Sequence, residues 1–259
     1  MNQEERRRFL IEELLRERLS CRRQEIPADT DRQKVLLRSL MNVRHPGAIS
    51  QRFLEVQDAY LQGELAAKKI TRLSELSPIQ NGIYLWRGDI TTLDCGAIVN
   101  AANSGMTGCY QPCHNCIDNC IHTYAGVQLR LKCAEIMEQQ GYEEPTGQAK
   151  ITPAYNLPCD YVIHTVGPIV RGELTRQHCE LLKSCYRSCL ELADENNVGS
   201  IAFCCISTVI FMFPNDRAAE IAVQTVQEYK AETGSKIEVV FNVFKEQDER
   251  IYRKLLSAD

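Results

Sequence analysis

The sequence lacks a long apolar run, an excess of basic residues and any internal repeat. Its longest uncharged and largely apolar stretch, residues 200–214, is too short and too polar at its flanks to cross a bilayer. The net charge is −4, from 30 basic and 34 acidic side chains, so we expect binding to neither nucleic acid nor an anionic membrane. No charged and then apolar leader opens the sequence, which predicts a cytoplasmic protein.

The composition is that of a folded globular protein, with 44% hydrophobic and 25% charged residues among 259. Two parts differ in pattern. Residues 1–75 have no strand-like run and carry 15 basic and 12 acidic side chains, whereas residues 81–259 carry 15 and 22. We therefore predict a helical N-terminal extension over residues 1–75 and a main domain over residues 76–259.

Apolar spacing predicts three helices in the extension. The first contains the apolar positions from Phe9 to Leu19, the second runs from Asp31 to Val43 with Thr30 as its cap, and the third runs from Ile49 to Ala66 with Ser50 as its cap. A basic cluster at residues 16–23 is interspersed with glutamates, which favours a solvated helix face over a docking site for an acidic partner.

Strands and helices alternate after residue 82. Apolar strand-like runs occupy residues 83–86, 97–100, 161–166, 200–206 and 237–244, and helical patterns occupy residues 127–140, 175–195, 215–233 and 247–256. This alternation predicts an α/β sandwich whose largely parallel sheet is covered by helices on both faces. Ligands of such sheets bind where the strands end at their carboxyl edge.

Thirteen cysteines are about 5% of the chain, an odd number and too few for a disulfide scaffold. Most are scattered through helix and strand patterns and are expected to be buried filler. Residues 109–122 differ, because they hold four cysteines and two histidines. Thiolates and imidazoles at such spacing are the ligands that zinc prefers. The spacing leaves open a closed site of Cys109, Cys113, Cys116 and Cys120, and a three-ligand site with an open position.

Four polar residues in this part of the sequence are ambiguous. Asn100 and Asn103 could serve a ligand or a polar turn. Asp118 could act near a metal as a base or cap a helix. His122 lies in an apolar context and is expected to be a core histidine.

Four motifs lie at the ends of the predicted strands, namely Gly88-Asp89-Ile90, Val99-Asn100-Ala101-Ala102-Asn103, Ile163-His164-Thr165-Val166-Gly167-Pro168 and Ile206-Ser207-Thr208. In order and spacing these motifs resemble those of macrodomains, which are ADP-ribose-binding modules with a three-layer α/β/α fold. The C-x4-H-x-C spacing of Cys109, His114 and Cys116 resembles the zinc-containing subclass of bacterial and fungal macrodomains. Members of that subclass carry a helical N-terminal extension and are often encoded beside sirtuin-type ADP-ribosyltransferases.

The resemblance implies how the nucleotide is held. Asp89 would accept a hydrogen bond from the adenine amino group, beside the backbone of Ile90. Asn242 and Phe244 would border the adenine, Phe244 by stacking on it. Alternatively, Phe244 is a core residue, because it ends an apolar strand-like run. The loop after the 200–206 strand would wrap the diphosphate, with Phe211 packed on the distal ribose; its residues are Ser207, Thr208, Val209, Ile210, Phe211, Met212 and Phe213.

The same resemblance assigns the reacting end. Asn103 would contact the distal ribose, and Asp118 matches the acidic residue that hydrolytic macrodomains place there, so both are predicted to be catalytic. The metal ligands would be Cys109, His114 and Cys116, and the cofactor Zn²⁺. We expect a monomeric zinc-dependent hydrolase that removes mono-ADP-ribose from modified proteins, with a lipoyl-carrier protein as one substrate. The alternatives are a non-catalytic ADP-ribose reader and a scaffold with a closed zinc site.

The diphosphate loop departs from the family pattern Ser-Thr-Gly-x-Phe-Gly-x-Pro, because Val209 and Met212 fill both glycine positions. Glycine permits positive φ and lets amide groups approach phosphate oxygens, and a β-branched residue tolerates positive φ poorly. We predict that ADP-ribose binds this chain more weakly than it would bind a Val209→Gly variant. A natural loop with another path and a substitution introduced to weaken binding both fit the sequence.

Overall fold

Residues 1–18, 25–208 and 210–257 are described by a computed structural model. The helices are α1 Gln3–Glu17, α2 Thr30–Val43, α3 Gln51–Ala66, α4 Ile117–Ala125, α5 Val127–Gln140, α6 Arg176–Glu195, α7 Asn215–Thr233 and α8 Glu246–Leu256. The strands are β1 Thr71–Arg72, β2 Ile83–Arg87, β3 Leu93–Asp94, β4 Ala97–Ala102, β5 Ala149–Pro153, β6 Tyr161–Val166, β7 Ser200–Phe203 and β8 Glu238–Val243.

The central sheet has six strands in the order β2-β8-β7-β4-β6-β5. Every neighbouring pair is parallel except β5 with β6, so the sheet is mixed, with an antiparallel edge strand. The inner strands β4, β7 and β8 are buried along nearly their whole length, as strands covered on both faces must be. Helices α6, α7 and α8 pack together, as do α4 and α5.

The extension has a hydrophobic core of its own. Leu10 and Ile11 of α1, Leu37 of α2 and Phe53 of α3 are buried in a cluster that Val127, the first residue of α5, also joins. The main core runs from Ile83 to Leu256. The predicted boundary at residue 75 stays a prediction; across it, α2 packs on α4, and Val127 of the main domain joins the hydrophobic cluster of the extension.

Several boundaries differ from those expected. Asp29, not Thr30, caps α2, since its carboxylate accepts the Arg32 amide at 2.8 Å; both residue types suit a cap, and they are adjacent. Ser50 caps α3, as predicted. The strand predicted at residues 200–206 corresponds to β7, which ends at Phe203, so Ile206 already lies in the following loop. Of the basic cluster, Arg22 and Arg23 lie outside the described residues; Arg16 is exposed and pairs with Glu12 and Glu13, as expected of a solvated helix face. Among the described helices, none is both long and apolar enough to span a membrane.

Candidate active site at the carboxyl edge of the sheet

The parallel strands β2, β8, β7, β4 and β6 all end at one edge of the sheet. The predicted site residues follow those strand ends, so the fold gathers segments that are far apart in sequence. The loops begin at residues 88, 103, 167, 204 and 244. A crevice outside the carboxyl ends of parallel strands is the usual ligand site of an open α/β sheet.

The loop after β2 holds Asp89 in a fixed orientation. Its Oδ1 accepts hydrogen bonds from the Thr91 amide at 3.0 Å and from the Thr91 hydroxyl at 2.6 Å, which starts a short 3₁₀ turn over Ile90–Thr92. Oδ2 lies 3.8 Å from Lys68 Nζ, and the side chain is 44% exposed. Asp89 therefore keeps an accessible carboxylate oxygen for an incoming donor, whereas the Ile90 side chain is buried in the core.

The end of β8 lies next to that loop. Asn242 is buried and donates from Nδ2 to the Gly88 carbonyl at 3.0 Å, which ties β8 to the turn that carries Asp89. Phe244 follows β8 with 78% of its surface exposed. The core alternative for Phe244 is therefore wrong, because the strand ends one residue earlier and the ring faces solvent.

The loop after β7 has an unusual backbone. Ser207 and Met212 both have positive φ, 65° and 58°, and the Ser207 carbonyl accepts the Phe213 amide at 3.0 Å, which closes the loop. Met212 thus occupies a glycine position of the family pattern while keeping a glycine-like conformation. Its side chain is 73% exposed, so it extends away from the protein. Val209 lies outside the described residues.

The other side chains of this loop differ in burial. Ile210 is exposed, Phe211 is half-buried, and Thr208 is tied down by a hydrogen bond from its hydroxyl to the Cys205 carbonyl at 3.0 Å. The Phe213 ring is buried in the core, so of that residue only the backbone can face a diphosphate. The loop after β6 packs closely here, since a Cβ on Gly167 would lie 2.1 Å from Ser207 Oγ.

The three predicted metal ligands come together between β4 and α4. One ligand atom from each of Cys109, His114 and Cys116 lies within 4.8 Å of the other two, and Cys109 Sγ is 3.6 Å from His114 Nδ1. Ligand atoms about 2.0 to 2.3 Å from a tetrahedral zinc lie about 3.5 Å from each other, so the trio already has nearly the spacing that zinc requires. Two sulfurs and an imidazole suit a soft divalent cation. The side chains therefore fit zinc.

The protein environment acts on these ligands. Cys116 caps α4, where its sulfur accepts the Asn119 amide at 3.4 Å. Burial raises the pKa of the Cys116 thiol to about 12, and the Asn119 amide opposes that shift.

The other two cysteines of the motif face elsewhere, with Cys113 Sγ 3.5 Å from the Val35 carbonyl and Cys120 Sγ 3.7 Å from Arg38 Nη2. The structure thus brings together the three-ligand set and not the four-cysteine set.

Asp118 lies in the first turn of α4 with 5% of its surface exposed, and it does not cap the helix. Its carboxylate accepts hydrogen bonds from Asn100 Nδ2 at 2.8 Å and from Asn103 Nδ2 at 3.3 Å. Burial raises the pKa of Asp118 to about 6, against the lowering effect of the Asn100 bond. Asn103 is exposed, so it links a buried carboxylate to the open side of the loop.

A pair of buried histidines lies beneath Asp118. His164 is fully buried between Asn100 Nδ2 at 3.1 Å and the Thr152 hydroxyl at 3.0 Å, and burial lowers its pKa to about 3. His122 Nε2 lies 3.5 Å from Asp118 Oδ1, and burial, reinforced by His164, lowers the pKa of His122 well below its usual value. The expected core role of His122 agrees with its 4% exposure.

The sequence did not single out every residue of this site. Asn100 was noticed in its motif, but its position within an apolar strand gave no sign that it would hold Asp118. The sequence gives no sign of the contacts from α2 to the loop of Cys109, His114 and Cys116, because the contacting residues are more than 70 positions apart in sequence.

These features define an α/β/α protein with a buried carboxylate and a cysteine–histidine trio at the carboxyl edge of its sheet. Comparisons with known proteins give the family. Residues 99–222 match the macro domain. A protein-ADP-ribose hydrolase from Treponema medium is 62% identical, over 99% of this chain and 100% of the relative. One from Staphylococcus aureus strain MSSA476 is 49% identical, over 97% and 95%.

A crystal structure of a Trypanosoma brucei macrodomain in complex with ADP-ribose superposes with a TM-score of 0.66 at 29% identity, covering 84% of this chain and 94% of that one. The chain belongs to the macrodomain family. The predicted three-layer fold with a helical N-terminal segment is confirmed.

Proposed function

We propose that this chain is a zinc-dependent hydrolase that releases mono-ADP-ribose from modified proteins. The observation that carries the proposal is the joint placement of the Cys109, His114 and Cys116 trio and the Asp118 carboxylate, on the loop and first helical turn that follow β4. Two relatives that match nearly the whole chain are named protein-ADP-ribose hydrolase, which supports the reaction class.

The nucleotide is proposed to lie across the strand ends. The fixed carboxylate of Asp89 would accept from the adenine amino group, and the exposed Phe244 ring would stack on the base. The loop of residues 207–213 would turn its backbone amides toward the diphosphate, as positive-φ turns do for anions. This arrangement would leave the distal ribose near Asn103 and the trio.

At the distal ribose, the residues of the chain would position the reacting groups. Asp118 would accept a proton or a hydrogen bond from the attacking water, and its orientation is fixed by Asn100 and Asn103. Because Asn103 is exposed and bonded to Asp118, it can contact sugar and carboxylate together. Cys109, His114 and Cys116 would hold zinc, which when bound supplies a Lewis acid for a ribose oxygen or for water.

The protein carrying the modification is a separate part of the proposal. The resemblance to sirtuin-linked macrodomains favours a lipoyl-carrier protein as the substrate, and a cytoplasmic, monomeric enzyme stays a prediction. The charge of −4 favours a protein substrate over nucleic acid.

The test is single-turnover release of ADP-ribose from a mono-ADP-ribosylated protein. Wild-type protein should release it, and Cys116→Ala should not, although it should still bind free ADP-ribose in calorimetry. Cys179→Ala is the matched control, since this half-buried cysteine of α6 lies outside both groups of possible metal ligands among the described residues and its loss should leave release intact. Binding without release by wild-type protein would show a reader instead, and full release by Cys116→Ala would contradict the metal site.

A further inference from the structure

The segment that carries the trio has no regular secondary structure. Residues 109–116 form turns and bends between β4 and α4, so their backbone groups must find partners outside a helix or sheet. Several of those partners are side chains of α2 and α4. The contacts across to α2 connect the N-terminal extension directly to the proposed metal-binding loop.

Arg38 of α2 reaches the loop at a metal ligand. Its Nη2 donates to the His114 carbonyl at 2.7 Å and to Asn119 Oδ1 at 3.1 Å. The first bond holds the backbone of the residue whose imidazole belongs to the trio. A charge-assisted bond of this length is among the stronger hydrogen bonds in proteins.

Asn42, one turn further along α2, holds the loop between the ligands. Its side-chain oxygen accepts the Cys113 amide at 2.9 Å, and its Nδ2 donates to the Thr123 hydroxyl of α4 at 2.8 Å. Asn42 is 1% exposed. Cys113 has a φ of 53°, a conformation that costs free energy for a residue with a Cβ. The buried Asn42 contact therefore stabilises a strained turn that separates Cys109 from His114 and Cys116.

Two further residues make this contact rigid. Asn119 is fully buried and donates from Nδ2 to the Gln111 carbonyl at 2.9 Å, while its Oδ1 receives Arg38. Arg130 of α5 is also buried; its Nη1 donates to the Asn42 carbonyl at 2.9 Å, and its Nε donates to the Thr107 carbonyl at 2.7 Å. These hydrogen bonds join the end of α2 to the backbone just before the loop, at Thr107, and Asn119 joins α4 to the backbone within it, at Gln111.

We infer that the N-terminal helices are a structural part of the metal site, in which Arg38 and Asn42 act as positioning residues that set the backbone of residues 109–116 before a metal binds. The inference rests on the metal site of the proposed function. Side chains that orient metal ligands through hydrogen bonds typically change metal affinity by about 10- to 100-fold when they are removed. Without these two contacts, the free energy of metal binding would have to offset the entropy lost when residues 109–116 become ordered.

The experiment measures zinc affinity of the full-length chain by competition with a chromophoric chelator. Arg38→Gln and Asn42→Ala should each weaken zinc binding by about 10- to 100-fold. Asn42→Asp keeps the acceptor for the Cys113 amide and should bind more tightly than Asn42→Ala. Lys34→Ala is the matched control on α2, because it removes only an exposed ion pair with Glu64 and should change affinity by less than about twofold.

A second readout is independent of zinc and of activity. Hydrogen exchange of metal-free protein should show protection of the Cys113 amide in the wild type and its loss in Asn42→Ala. If that variant does not fold, Arg38→Gln, at a partly exposed position, is measured over the same loop peptide. Unchanged zinc affinity and unchanged exchange would overturn the positioning role. A wild-type protein that takes up no zinc would contradict the metal site itself, which the variants alone cannot do.

Discussion

Replacing Phe244 with alanine should weaken ADP-ribose binding without destabilising the protein. The ring is 78% exposed, so only about a fifth of its surface is removed from water in the free protein. Full burial of a phenylalanine contributes about 1.5–3 kcal/mol, and truncation should therefore cost no more than about 0.7 kcal/mol of stability. Stacking of a base on an aromatic ring contributes about 1–3 kcal/mol, which corresponds to an increase of about 5- to 150-fold in Kd.

Calorimetric titration of ADP-ribose into wild-type, Phe244→Ala and Phe244→Tyr proteins measures this difference. The tyrosine variant keeps an aromatic face and should bind within about threefold of wild type. Urea unfolding of the same proteins checks that stability is unchanged. A Kd for Phe244→Ala within twofold of wild type would refute the stacking role, and so would an equal loss in Phe244→Tyr.

Three further predictions concern the rest of the crevice. Asp118→Asn keeps the shape of the side chain but removes the carboxylate, so single-turnover release should fall by about 100-fold or more while ADP-ribose Kd changes little; undiminished release would exclude Asp118 from the reaction. Gly167→Ala places a Cβ 2.1 Å from Ser207 Oγ and 2.8 Å from Ile206 Cγ2. Urea unfolding should therefore show a free energy of unfolding that is lower by about 1–3 kcal/mol, and equal stability would show that the loops do not pack this closely. Val209→Gly should bind ADP-ribose more tightly than wild type in calorimetry, and equal affinities would remove the steric argument from the sequence.

The long elements could be predicted because their patterns are strong. The helix predicted at residues 215–233 has the bounds of α7, and the strand predicted at residues 161–166 has those of β6. The sequence does not predict strand β5, Ala149–Pro153, because this strand contains Lys150 and Pro153 and lies at the edge of the sheet, where no continuous apolar run is needed. Helix α1 begins at Gln3, ahead of the predicted apolar positions, which begin at Phe9. The first residues of the helix are mostly charged, so apolar spacing could not reveal them.

In the candidate site, too, local patterns could be predicted from the sequence and contacts between distant segments could not. Cys109, His114 and Cys116 could be predicted because they lie in one loop with a spacing that is typical of metal ligands. The structure brings the three side chains together. Whether they bind zinc stays a prediction. The hydrogen bonds of Asn42 and Arg38 could not be found, because they join residues that only the packing of α2 on α4 makes neighbours.

Removal and return of zinc tests the central claim most directly. Protein freed of metal by a chelator should bind about one zinc per chain, should release no ADP-ribose from a modified protein when metal-free, and should regain release in proportion to the zinc bound. Full release by metal-free protein, with zinc content verified by mass spectrometry, would contradict the assignment of the cysteine–histidine trio to catalysis.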